Sequence, residues 1–346
     1  MHSLIYLDRK KKGRYKIEKL DESQGWNPQQ GTMFYWNPHH PDNQFFFNDR
    51  DPKTGVVYTV LYDVKKHKRV KTYHYKNQSF GNSGVCPSGK YFLVINYARM
   101  GRLRPVTGYK ESFDWTDGVA APKEDGIAIV NIETAEKKIL ISFEQMARGL
   151  ERNGFDVKDR NLFINHTLWS RDGQWIYFFV RAGWKSDKDG RKGLNAACSI
   201  KVNGSQFIAG HQHIGGHPEW FNATQIIGSK DNQQVIYDIL QKKIIGTLGS
   251  LDIFPRPEGD ISLSPDGQWL INGYNNKSGS NFYTILNLRS GAWVKTPSFD
   301  TGIYKKDLRI DPAPRWNHDN NQVLVSGLDK RGIRQLFIIS IHPKSI

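Results

Sequence analysis

The stretch 165–181, N-H-T-L-W-S-R-D-G-Q-W-I-Y-F-F-V-R, decides how this chain is read. A short apolar segment (Leu162, Phe163, Ile164) leads into it, Ser170, Arg171, Asp172 and Gly173 make a tight turn, and Trp175 to Val180 form a β-rich run. Asp-Gly supplies residues that tolerate positive φ, so the turn joins neighbouring antiparallel strands cheaply. The unit recurs. Ser264-Pro265-Asp266-Gly267-Gln268-Trp269 repeats it almost letter for letter, and Pro87, Ser88, Gly89, Lys90 and Tyr91 give a looser copy. Weaker copies stand at 317–320 before 322–325, at 221–223 before 224–227, and at 37–43 before the aromatic run Phe45, Phe46, Phe47. Six such signals, mostly about 45 to 50 residues apart, match the period of four-stranded propeller blades.

The expectation is an all-β chain, a single β-propeller domain over residues 1–346. Six repeats are plain, and a seventh blade assembled from the termini makes the count seven. Blades fall at about 31–75, 80–143, 163 onward, 211 onward, 259–300 and 309–341. Strand-like runs at 4–8 and 15–20 and a C-terminal run at 335–341 predict a ring closed by pairing both ends, which removes exposed edges. Blade two is stretched by an insertion at 98–124, rich in arginine and carrying Tyr109, Phe113 and Trp115; long loops in compact repeats usually serve a function. One helix is predicted at 143–150, capped by Ser142 with Gln145 three residues on, and with Phe143, Met146 and Leu150 sharing a face.

Composition narrows the partners. Hydrophobic residues make up 38%, low for a core-rich α/β enzyme, but 18 Phe, 15 Tyr and 10 Trp can fill short-stranded sheets from fewer positions. A formal charge of +15 attracts polyanions such as nucleic acid, anionic lipid or acidic polysaccharide. The basic runs at 9–14 and 65–71 read as solvated hairpin tips rather than as a binding stripe. Only Cys86 and Cys198 are present, so at most one disulfide is possible and no Cys-x-x-Cys suggests zinc. Four consecutive apolar residues near the N-terminus are too few for a signal-peptide core, and no stretch reaches membrane-spanning length. The expected location is the cytoplasm for the chain as it stands, or the periplasm if a signal was removed, with no membrane partner.

Candidate chemistry begins with His166 and Arg181, which bracket the opening hairpin where a propeller aims polar side chains toward its axis. His211, His213 and His217 form the densest histidine group, a weak metal signal without a clear carboxylate or cysteine companion. His217, before Pro218, Glu219 and Trp220, stands at the inner-strand position that His166 holds in the preceding blade. Arg99, Arg102 and Arg104 of the insertion, Arg181 and Arg315 supply planar guanidinium groups that bind carboxylates. Together with aromatic platforms they suit an acidic sugar.

The order Gln30-Gly31-Thr32-Met33, Trp36, Asn48-Asp49-Arg50, Arg102-Leu103-Arg104-Pro105 and Gly108-Tyr109 looks like propeller proteins related to oligogalacturonate lyases. Asn165-His166, Gly216-His217-Pro218-Glu219-Trp220, Ser264-Pro265-Asp266-Gly267 and Pro314-Arg315-Trp316 extend the resemblance across nearly the whole chain. Ulvan-cleaving propeller lyases share the architecture. The resemblance implies a polysaccharide lyase acting on a uronic acid by β-elimination, with the carboxylate neutralised, a base at C5 and an acid for the leaving oxygen. It points to His166 or His217 as base, Arg181 and Arg99 as neutralisers and Tyr109 as acid. Trp184 and Trp220 would stack on sugar faces, with Arg102, Arg104, Arg315 and Asn165 as further substrate contacts. In the family several histidines hold a metal, but Asp260 and Ala313 stand at two of those places here, so a divalent metal is an open question. The alternatives are a non-catalytic acidic-glycan binder, a glycoside hydrolase using Glu219 and Asp260, and a nucleic-acid or protein-interaction propeller suggested by charge alone.

Overall fold

A computed structural model describes residues 2–10, 14–183, 191–276, 279–302, 304–305 and 308–342, without the side chains of 2–10 and 14–17. It falls into two compact units, Met1–His211 and Gln212–Ile346.

The first unit opens with a hairpin of β1 (His2–Lys10) and β2 (Arg14–Ser23). Three antiparallel meanders follow. The first is β3 (Tyr35–Trp36), β4 (Gln44–Arg50), β5 (Val57–Asp63) and β6 (Lys68–Tyr73). The second is β7 (Phe80–Val85), β8 (Tyr91–Asn96), β9 (Gly126–Asn131) and β10 (Lys137–Ser142), with α1 (Tyr97–Leu103) opening the long β8–β9 connection and α2 (Phe143–Glu151) following β10. The third is β11 (Phe163–Trp169), β12 (Trp175–Ala182), β13 (Leu194–Lys201) and β14 (Ile208–Ala209).

The second unit carries β15 (Gly215–Trp220), β16 (Gln225–Lys230), β17 (Gln233–Asp238) and β18 (Lys243–Leu248) as a fourth meander. A fifth is β19 (Asp260–Leu263), β20 (Trp269–Asn275), β21 (Ser280–Asn287) and β22 (Trp293–Lys295), with β23 (Phe299–Asp300) also on β21. The sixth, β24 (Arg315–Trp316), β25 (Gln322–Leu328) and β26 (Arg334–Ser340), has three strands. A parallel bridge between His217 and Asp260 joins the fourth and fifth meanders edge to edge.

All six meanders lie where the turn signals put them. The reason is local, and plainest in the two Ser-x-Asp-Gly turns, where the serine completes the turn from within. Ser170 Oγ donates to Asp172 (2.6 Å) and accepts the Trp175 N–H (2.8 Å); Ser264 Oγ does the same with Asp266 (2.6 Å) and Trp269 (2.9 Å). Gly173 and Gly267 take φ of 68° and 72°, which a glycine adopts without strain. The predicted helix is present, and Ser142 and Gln145 form a complete capping box while Phe143, Met146 and Leu150 are buried. At the two ends of the chain β1 pairs with β2, and β26 pairs with β25, each a local hairpin partner. Among the described residues there are six meanders and this one terminal hairpin.

Cores sit between successive sheets. In the first unit Phe46, Tyr73, Phe80, Phe92 and Val94 share one cluster, and Met146, Leu150, Phe163, Ile176 and Phe178 belong to another that seats α2. In the second unit Ile271, Tyr283, Ile285, Val323 and Val325 pack the fifth meander on the sixth. At about 25 cal/mol per Å² of apolar surface, rings of this size dominate the stabilisation.

Candidate functional site

Counting back from the turns places several polar residues at one repeat position. His166 is three residues before Trp169, His217 three before Trp220 and Ala313 three before Trp316, while Asp260 precedes Ser264 by the same interval as His166 precedes Ser170. These inner strands are irregular: register shifts interrupt β11 between Asn165 and Leu168 and β15 between Gly215 and Glu219, and His166, Gly216 and Ala313 have φ of 59°, 75° and 35°. A bulge turns side chains out of the ladder and is a common way to re-aim them.

In the second unit this position builds a compact charged group. His217 Nδ1 pairs with Asp260 Oδ1, and the other Asp260 oxygen accepts the Ala313 N–H at 2.8 Å. The hydrogen bond to Asp260 raises the His217 imidazole above its ordinary value; burial opposes it, the charges of Asp260 and Asp311 add to it, and Arg315 subtracts. Burial alone would push Asp260 up, but the His217 bond and charge, the Ala313 N–H and Arg315 together hold its carboxyl below the usual range. The His217 side chain is 56% exposed, so this oriented imidazole reaches solvent. Exposed Arg315, whose Nη1 donates to the Pro314 carbonyl at 2.9 Å, lies within electrostatic range of both. A histidine held by a carboxylate and opened to solvent can take a proton from a bound molecule.

The first unit holds a different group. His166 is half-buried with its ring edge-on to Phe179 at 6.3 Å, and the Arg181 guanidinium lies 5.3 Å from the same ring. Arg181 donates Nε to Asn195 Oδ1 at 2.8 Å, and burial, helped by nearby Arg104, lowers it to about 10. Buried Asn165 pairs with Phe179 in the ladder and accepts the His166 N–H at 3.0 Å. His166, Arg181 and Asn165 thus meet around Phe179, with Arg104 within electrostatic range of Arg181.

Three expected functional side chains are committed to the fold. Arg99, 1% exposed, donates Nε to the Leu162 carbonyl (2.6 Å), Nη1 to Thr116 Oγ1 and the Val119 carbonyl (3.0 Å each) and Nη2 to the Ala120 carbonyl (2.6 Å), over the ring of Phe143 at 4.9 Å. Burial lowers it to about 10, offset in part by Asp125 and Asp114, so it stays charged at neutral pH and pins the insertion rather than meeting substrate. Tyr109 is sealed in, stacked on Tyr97 at 4.5 Å with its hydroxyl accepting from Asn48 at 3.0 Å; burial pushes the phenol well up, the wrong direction for a working acid at neutral pH. Trp220 is buried in the core, so it offers no face to a sugar. Trp184 lies outside the described residues. Arg102 is held by Asp114 (3.0 Å) and Asp117 (3.1 Å).

The histidine group separates as well. His211 is buried on Ser199 Oγ (2.8 Å) and stacked with Tyr177, whereas His213 is exposed. Among the described residues no three His, Cys, Asp or Glu side chains are placed to hold a metal. Ala313 presents an N–H donor to Asp260, where a metal would need a lone pair; these residues do not fit a three-ligand site. The sequence did not single out the His217–Asp260 pairing; its signal was a carboxylate and an imidazole at one repeat position of adjacent blades.

No family model matches the sequence, and no curated protein matches it. Solved structures do. Among them are TolB from Acinetobacter baumannii (13% identity, TM-score 0.46, 86% of this chain and 61% of that one) and prolyl endopeptidases (12%, 0.53, 94% and 43%). Kuenenia stuttgartiensis hydrazine synthase is a third (12%, 0.47, 89% and 76%). This chain thus spans less than two thirds of the TolB and endopeptidase chains. The endopeptidase likeness, with the succession of meanders, makes the fold an all-β propeller type; at such identity it speaks to fold alone.

Proposed function

We propose that the chain is an acidic-saccharide lyase in which His217, oriented by Asp260, removes the C5 proton of a uronic acid residue. The supporting observation is the solvent-reaching imidazole locked on a carboxylate beside Arg315. Arg315 is the group at hand to neutralise the substrate carboxylate and so acidify that proton. The C5–H pair forms the C4–C5 double bond, the C4–O bond breaks, and the departing oxygen is protonated from solvent. Only neutral imidazole can accept the proton, so activity rises with pH through a value above that of ordinary histidine. Incubation with pectic, ulvan and alginate oligomers, followed by ultraviolet absorbance of the unsaturated product, tests this; no product from any uronide discards it.

A second reading, a propeller that binds acidic glycans without cleaving them, is favoured by the loss of Arg99, Tyr109 and Trp220 to the fold. It predicts retained binding of the same oligomers with no ultraviolet signal and no mass change.

A further inference from the structure

The insertion that stretches the second meander encloses a cleft of about 460 Å³ whose lining includes Arg102, Glu111, Ser112, Phe113, Asp114 and Asp117. We infer that this cleft is a separate saccharide-binding site for a neutral pyranose unit, stacked on Phe113 and hydrogen-bonded by the carboxylates and Arg102.

The cleft is a built feature. After α1 the chain doubles back so closely that a Cβ on Gly108 would stand 1.9 Å from the Gly101 nitrogen, and one on Gly101 2.4 Å from the Tyr109 carbonyl; only glycine allows that approach. The returning strand of chain is then clamped. The Phe113 N–H donates to the Gly55 carbonyl at 2.8 Å, its own carbonyl accepts from Ser79 Oγ at 2.5 Å, and Arg50 Nη1 donates to the Glu111 carbonyl at 2.8 Å. Phe113 nevertheless stays 43% exposed. A large ring whose backbone is fixed on both sides yet whose face remains in water is presented outward, not left over from poor packing.

The polar lining is equally set in place. Asp114 accepts from Asn96, from the Thr116 N–H and from Thr116 Oγ1, and so holds Arg102 in one orientation through Nε and Nη2, with Asp117 also close to Nε. Ser112 Oγ is a buried hydroxyl with no hydrogen-bond partner among the described residues. An apolar ring face beside fixed, planar acceptors and donors matches a sugar, which has one C–H face and a rim of hydroxyls. The three carboxylates are set against Arg102 and Lys110 in the lining and against Arg50 on Glu111, so the cleft carries no surplus of positive charge and suits a neutral ring better than a uronate. All its lining residues belong to the first unit, whereas His217 belongs to the second.

The test is saturation-transfer NMR and calorimetry on the full chain with cello-, manno- and galacto-oligosaccharides, and with tri-galacturonate as the charged comparison. At least one neutral series is expected to bind. Phe113→Ala should weaken it about tenfold, the loss of one stacking contact, and Asp117→Asn by a smaller factor, while His217→Ala leaves it unchanged. Both substituted side chains are on the surface of the cleft, and melting curves check that each variant folds. Absence of binding by every neutral series, binding indifferent to Phe113→Ala, or Phe113-dependent binding of the uronate alone would each overturn the assignment. None of these outcomes depends on whether the chain has lyase activity.

Discussion

His166 and His217 occupy the same place in two repeats and have become different things. His166 sits half-buried at a bulge, edge-on to Phe179, beside an arginine that spends its Nε on Asn195. His217 sits on a strand bridged in parallel to Asp260 and is held by that carboxylate. The repeat sets where the backbone passes; the neighbouring strand sets what the imidazole can do. In the third meander the neighbour supplies a ring; in the fourth and fifth it supplies an acid, which orients the His217 imidazole and raises its proton affinity.

The comparison breaks most sharply on activity. If the reading of His217 is right, His217→Ala lowers elimination by about 10²- to 10⁴-fold, the usual share of a positioned acid or base, while His166→Ala changes it only a few-fold; equal losses would dissolve the distinction. Next is stability. Arg99→Leu should cost roughly 3 kcal/mol or more in denaturant melts, because several buried carbonyls lose their donor at once, whereas exposed Arg315→Gln should stay within about 0.5 kcal/mol. The turns give a smaller, matched pair: Ser170→Ala and Ser264→Ala should each cost about 1 kcal/mol, and unequal costs would mean that the two turns are not one device.

The last test is of pH. A raised His217 contributes stability that is complete below the ordinary imidazole value and is lost as pH rises through the raised one. A lowered Asp260 contributes stability that is complete above the ordinary carboxyl value and is lost as pH falls through the lowered one. The pair therefore strengthens the fold between those limits. Asp260→Asn should flatten both shoulders of the melting-temperature profile and return the His217 proton titration, followed by NMR, toward ordinary histidine.

Much of this was legible in the amino-acid order. Ser-x-Asp-Gly closes its own turn, Ser142 and Gln145 cap their own helix, and alternating apolar runs choose strand, so the meanders could be placed by residues that interact within a few positions. The fates of Arg99, Tyr109 and Trp220 could not. An arginine in this part of the sequence reads as a ligand for anions until the fold wraps the carbonyls of Thr116, Val119, Ala120 and Leu162 around it. Tyr109 and Trp220 read as working aromatics until neighbouring sheets close over them.

By itself the sequence determined an all-β chain of repeated meanders, where they begin, and which residues share a repeat position, because those properties follow from turn chemistry and alternation over a few residues. Tertiary structure alone decided which polar side chains remain in water and which carboxylate meets which imidazole. Those outcomes depend on strands far apart in the chain, and burial and pairing are properties of neighbours that no local pattern names.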